Sequence, residues 1–173
     1  MQPQPMTLQA YDAISDEFNT LRTVIKPAVN REKEIAAAHG DRSENAEYHA
    51  AKEKLRHIDK RLKYLSSMLQ NAKIIDPAQH THERVAFGST VELEDIDTDE
   101  SLTLSIFGVL ESEPQSGVIS YEAPMARALM GKAVGDSVTV TLPSGKKEYE
   151  ILAIRYIPIL ECKKEPFARA AFA

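Results

Sequence analysis

Two carboxylates three residues apart, Asp41 and Glu44, stand within AAAHGDRSENAEYHAAKEK, residues 36–54. Acids so placed could bind a divalent cation, but Mg²⁺ prefers a site shared among a few carboxylates, waters and phosphates. No paired histidine and no glycine-rich phosphate loop lies beside them. Alone they would bind such an ion weakly, so any remaining ligands would come from another molecule. The plainer reading is a capping box, D-x-x-E ahead of a helix, with Asp41 as N-cap and Glu44 at the third helical position. Both acids would then also suit the positive end of the helix dipole. Spacing alone favours the cap.

The following residues are basic. Residues 50–63 carry six basic side chains against Glu53 and Asp59. Of these, Lys52, Arg56, Lys60 and Lys63 follow helical spacing and fall along one side. Such a series is most often a solvated face. Here it runs away from an acidic turn, as a line of charge suited to phosphate.

Two long helices must position these groups. The first carries Ile14, Phe18, Leu21, Ile25, Ala28 and Ile35, with Glu32 interrupting. The second carries Ala51, Leu55, Ile58, Leu62, Leu65, Leu69 and Ala72, an a/d pattern over three heptads that predicts a coiled-coil seam. Gly40 can end the first helix, and Asp41 or Ser43 can cap the second. So short a turn makes the helices antiparallel, with arms of roughly 30 residues and about 45 Å. Pro27 inside the first arm predicts a bend or local 3₁₀ geometry, because proline lacks the N–H that the helix needs.

After Pro77 the hydrophobic period becomes 2. Alternation at 91–94, 102–106 and 138–142, joined by GVISY and EYEILAIRY, predicts five strands. Pro124 and Gly131 bracket one short helix. The expected class is α+β: an N-terminal antiparallel coiled-coil hairpin over 1–76, a linker over 77–83, a small antiparallel sheet with one helix over 84–157, and a patternless tail over 158–173.

The net charge of −5 is unevenly divided, +1 over residues 1–76 and −6 over 77–173. The single cysteine, Cys162, cannot form an internal disulfide. No signal-peptide pattern and no long apolar run is present, so the expectation is a cytoplasmic protein without membrane contact. His80, His82 and Glu83 only imitate a metal set, in a linker with no Cys partner nearby.

HGDRSENAEYHAAKEKLRHIDKRLKYL and NAKIID resemble the bacterial Gre transcript-cleavage factors. RVAFGSTVEL, ISYEAPMARALMGKAVGDSV and LPSGKKEYEILAIRY resemble the same family's C-terminal domain. The likeness covers about residues 6–157. GDRSEN and PMARAL look closer to the GreB branch, NAEYHAAKE to the GreA branch, and the branch stays open. The resemblance implies an FKBP-like C-terminal domain that docks on bacterial RNA polymerase, and a hairpin that enters the polymerase secondary channel. There the tip acids, here Asp41 and Glu44, would share Mg²⁺ with the polymerase active site and stimulate its cleavage of backtracked RNA. None would be bound stably by the monomer alone, and the factor would not itself be an enzyme. Lys52, Arg56, Lys60 and Lys63 would then meet the extruded 3′ end of the nascent RNA. Glu122, Pro124 and Met125 match the docking segment. Ala123 stands where the family often has Ser before that proline. Asn30 and Lys33 stand where it often has apolar residues, and the tail runs on beyond the usual end.

Three other readings compete. A non-cleaving, inhibitory paralogue is disfavoured by the presence of both Asp41 and Glu44. An FKBP-like prolyl isomerase or chaperone is disfavoured by the shortage of aromatic residues. A plain coiled-coil dimerisation module leaves the acidic tip and the strand domain without a role.

Overall fold

The computed structural model describes residues 3–38, 45–143 and 145–163. They form two compact units. One is the helical residues Asp12–Asn71; the other gathers the N-terminal residues to Tyr11 with the chain from Ala72 onward.

In the helical unit, α1 (Leu8–Thr20, rooted in the other unit) passes into a π turn (Leu21–Ile25), then α2 (Lys26–Ala38); α3 (Ala46–Gln70) returns. Three contacts establish the antiparallel course. Glu17 pairs with Arg61, Lys26 with Asp59, and Asn45 Nδ2 donates to Ala36 O. The α3 face is close to the expected seam: Ala51, Leu55, Ile58 and Leu65 are buried, together with Met68.

The first arm departs from expectation, and the π turn explains how. Lys26 N–H reaches back five residues to Leu21 O. This wider turn precedes Pro27, whose ring would crowd the carbonyl four residues back in a regular helix. Thr23 Oγ1 donates to Asn19 O at 2.8 Å beside it. The local geometry is therefore π, not 3₁₀. A π turn adds one residue to the repeat, so the seam continues one position late. Beyond Leu21 the buried residues are Val29 and Ala36, whereas Ala28 is exposed and Ile35 is 61% exposed.

α3 also stops earlier than expected. Asn71 closes it, its backbone N–H and Nδ2 both donating to Ser67 O. Ala72 is therefore not a seam residue. It begins β2 (Ala72–Ile74), which pairs in parallel with β1 (Gln4–Met6). Both strands belong to the C-terminal unit, so residues 3–11 and 72–76 leave the hairpin to which the sequence reading assigned them.

The five predicted strands are present as β3 (Ser89–Asp95), β4 (Ser101–Phe107), β5 (Val118–Ser120), β6 (Ser137–Leu142) and β7 (Gly145–Tyr156). They order as β5-β4-β3-β7-β6. Every pairing is antiparallel except β4 with β5, which is parallel. A bulge at Leu152 bends β7 against β3. Val91, Leu93, Leu104, Ile106, Val138, Val140 and Ile151 are all buried beneath Ala126 and Leu129 of α4 (Pro124–Leu129).

The segments read as linker and tail are packed. Asp76 caps a 3₁₀ turn over Pro77–Gln79, and Pro77 is buried against Gly88. Gly88 has φ +83, and a Cβ there would lie 2.2 Å from the proline ring, so only glycine fits. His82 is buried, with Nδ1 2.7 Å from Ser89 Oγ and Nε2 2.8 Å from Pro77 O, and it stacks on Tyr156. Both ring nitrogens are thus engaged. After β7, α5 (Ile159–Cys162) buries Ile159 against Phe87, Phe107 and Val118. The tail reading is corrected for residues 159–163: two aromatic rings far upstream supply the cover that a local pattern cannot show.

Candidate functional site

The hairpin end is built by Asn45. It is the N-cap of α3, with Oδ1 accepting from Tyr48 N at 3.0 Å. Its amide nitrogen donates to Ala36 O, one of the last-turn carbonyls of α2 that have no intrahelical partner. One side chain therefore satisfies an orphan donor on one arm and an orphan acceptor on the other. Asn45, not the Asp41 or Ser43 suggested by sequence, is thus the cap of α3, which starts at Ala46. Asp41 and Glu44 themselves lie outside the described residues, between Ala38 and Asn45.

Behind this end, Lys52, Arg56, Lys60 and Lys63 are all exposed on α3. At about 100° per residue they fall within roughly 80° of arc, on the side away from Ile58 and Leu65. Arg56 NH1 pairs with Glu53 at 2.9 Å, and Glu53 also meets His57 at 3.0 Å, so part of that charge is answered locally. Arg61 is directed otherwise. It grips the buried Glu17 with two bonds of 2.8 and 3.0 Å and serves the seam.

Packing is lighter toward this end. Ala36, Ala50 and Ala51, with Glu32, Ile35, Glu47 and Lys54, line a cleft of about 470 Å³ between the arms. The small alanines bring less bulk to the seam than Ile14, Leu21, Ile58 and Leu65 do nearer the root.

In the C-terminal unit, Pro124 occupies the first position of α4 and is exposed. Glu122 is exposed, and Met125 is half-buried against the core. Ala123 is the N-cap and offers no side-chain bond. A serine there could have supplied one, so this departure leaves the start of α4 without a side-chain cap. Tyr121 OH donates to Glu122 Oε1 at 3.1 Å; burial raises the phenol's pKa, and the bond to Glu122 adds to the rise. Glu122, Pro124 and Met125 thus form one short surface at the entrance to α4.

Among the described residues, no group of three or more His, Cys, Asp or Glu side chains could hold a metal ion. His80 and His82 do not make a site, since His82 is spent on Ser89 and Pro77. Among the described residues, no helix is long and apolar enough to cross a membrane. Sequence reasoning missed Asn45, although an asparagine immediately before a helical run is itself a capping signal. It also missed Glu17, whose acidic type hides a buried pairing.

A helical hairpin with an exposed basic line on one arm and a second unit built on a mixed sheet make up a two-unit chain. The family model for the N-terminal domain of transcription elongation factors matches residues 4–74, and that for the GreA/GreB C-terminal domain matches residues 80–156. Transcription elongation factor GreA of Nautilia profundicola is 51% identical over 90% of this chain and 96% of that relative. GreA of Nitratiruptor sp. is 49% identical over 91% and 96%. The crystal structure of GreA factor homolog 1 of Thermus thermophilus aligns over 89% of this chain and 99% of that one, at 26% identity and a TM-score of 0.42. The chain belongs to the GreA/GreB family of transcription elongation factors.

Proposed function

We propose that this elongation factor binds bacterial RNA polymerase, enters its secondary channel hairpin first, and stimulates the polymerase's own cleavage of backtracked RNA. The observation that carries the reading is Asn45. Because it caps α3, Asp41 and Glu44 are not needed to start that helix. In the complex, Asp41 and Glu44 would contribute to a Mg²⁺ site completed by polymerase. When bound, that ion lowers the pKa of a ligated water and stabilises developing negative charge. The chain's own part is to bring the acids to the scissile phosphate and hold them there.

Lys52, Arg56, Lys60 and Lys63 favour phosphate along the same rod. Glu122, Pro124 and Met125 are assigned to docking, which raises the local concentration of the tip. The test is a stalled, backtracked elongation complex supplied with the factor and Mg²⁺. Shortened RNA is expected with wild type, none with Asp41→Asn or Glu44→Gln, and undiminished polymerase binding by both variants. Normal cleavage by Asp41→Asn would remove the acids from the mechanism. The isolated factor should show no ribonuclease activity.

A further inference from the structure

Glu111 has no exposed surface, lies outside every group discussed above, and belongs to the C-terminal unit. Its Oε1 accepts from Thr7 Oγ1 at 2.6 Å and from Thr7 N at 3.3 Å, and its Oε2 accepts from Gly108 N at 2.9 Å. The approach is close enough to demand glycine. A Cβ on Gly108 would lie 2.5 Å from Oε2 and 2.8 Å from Pro5 O.

Thr7 immediately precedes α1. Its hydroxyl accepts from Ala10 N at 3.2 Å, and its carbonyl accepts from Tyr11 N at 3.1 Å. By taking the hydroxyl proton, Glu111 turns the oxygen's lone pairs toward the helix. A carboxylate far along the chain thus sets the rotor of the cap on the helix that becomes the first arm of the hairpin. Lys163, itself buried at the end of α5, is the nearby cation, and Glu113 is a further charge facing that lysine. Burial raises the Glu111 pKa above its ordinary value, so an ionised carboxylate here is costly. An apolar side chain would fill the core at less expense.

We propose that Glu111 is a positioning residue: through Thr7 it fixes the root of α1, and so the precision with which a docked factor delivers its tip acids. This rests on the cleavage-stimulating reading above. The expectation is that loosening the root lowers the maximal rate without lowering affinity, because small displacements of a reacting group cost large factors in rate.

The test uses full-length Glu111→Gln, Thr7→Val and Thr7→Ser. A glutamine presents one acceptor and one donor, so either Thr7 or Gly108 would face a second donor. Thr7→Val removes the hydroxyl at near-constant volume, whereas Thr7→Ser keeps it. Polymerase affinity, cleavage rate at saturating factor, and amide exchange at Ala10 and Tyr11 are measured together. For Glu111→Gln and Thr7→Val we expect affinity within about twofold of wild type, a maximal rate lower by roughly tenfold, and exchange faster by about tenfold. Thr7→Ser should behave as wild type in all three. Unchanged exchange in Thr7→Val overturns the proposal. So does faster exchange with an unchanged maximal rate, or a loss confined to affinity. Should Glu111→Gln fail to fold, Thr7→Val decides. Should wild type itself fail to stimulate cleavage, the cleavage reading falls, and the exchange data alone then support or overturn the anchor.

Discussion

The two ends of the hairpin are held by different means. Toward its root, large side chains close the seam: Ile14, Leu21, Ile58 and Leu65 are fully buried, and Glu17 with Arg61 forms a bidentate pair whose carboxylate is only 5% exposed. Toward its far end, Val29, Ala36 and Ala51 do the packing, a cleft opens between the arms, and the ion pair on that side of the π turn, Lys26 with Asp59, is exposed. The difference teaches that stability and reach are separated along one rod. The root supplies the free energy that keeps two long helices together. The far end packs on smaller side chains, and among the described residues Asn45 joins the arms there.

The largest expected break in this contrast is Glu17→Ala. It leaves Arg61 half-buried without its carboxylate and should cost about 3–5 kcal/mol of hairpin stability, read from urea unfolding with a probe on α3. Leu65→Ala comes next, at about 2–5 kcal/mol. The distal counterpart has the opposite sign: Ala50→Leu, over the cleft, should stabilise by about 0.5–2 kcal/mol. If Ala50→Leu and Leu65→Ala shifted the midpoint in the same direction, the asymmetry would be wrong. Asn45→Ala should cost about 0.5–2 kcal/mol, with faster exchange confined to the first turn of α3 and the last turn of α2. Smallest is Asp59→Asn, about 0–1 kcal/mol and fading with salt, because its pair with Lys26 is exposed.

The carboxylates of the C-terminal unit add a pH test. Lys147, bonded to Asp95 at 2.6 Å, holds that carboxyl below its ordinary 3.8. The stability it contributes is present above 3.8 and is lost as pH falls through the lower, folded-state value. Glu111 is raised above 4.5 by burial, so its contribution runs the other way. Protonation favours the fold, giving a gain below 4.5 that disappears as pH rises through the folded-state value. Asp95→Asn should therefore flatten the acid limb of a thermal-stability profile, and Glu111→Gln the limb above 4.5.

Much of this architecture was legible because it repeats. The seam of α3 and the strands β3, β6 and β7 follow fixed periods, and most of their buried residues fall where the periods put them. The first arm was misphased because Pro27 announces a disturbance without its kind. A 3₁₀ turn and a π turn answer the same missing N–H, but shift the later residues in opposite directions. β1 and β2, three residues each, are too short to show alternation. Ile159 looks like tail until Phe87 and Phe107 are brought over it. At the hairpin end, Asp41, Ser43 and Asn45 are all competent caps, and only the helix start at Ala46 selects among them. The candidate acids were visible through family resemblance alone, since their spacing argued for the cap that Asn45 provides.

The extra residue of the π turn has a directional consequence. A rod that presents chemistry at its end needs an azimuth as well as a length. Straightening Leu21–Ile25 into an uninterrupted α-helix with every residue kept would turn everything beyond it by about 100° around the axis of the arm. Ile35 would swing inward, Ala36 outward, and the point from which the chain departs toward Asp41 would move to another side of the rod. The bearing of the last described turn of α2 is thus written well upstream of it, at the turn before Pro27.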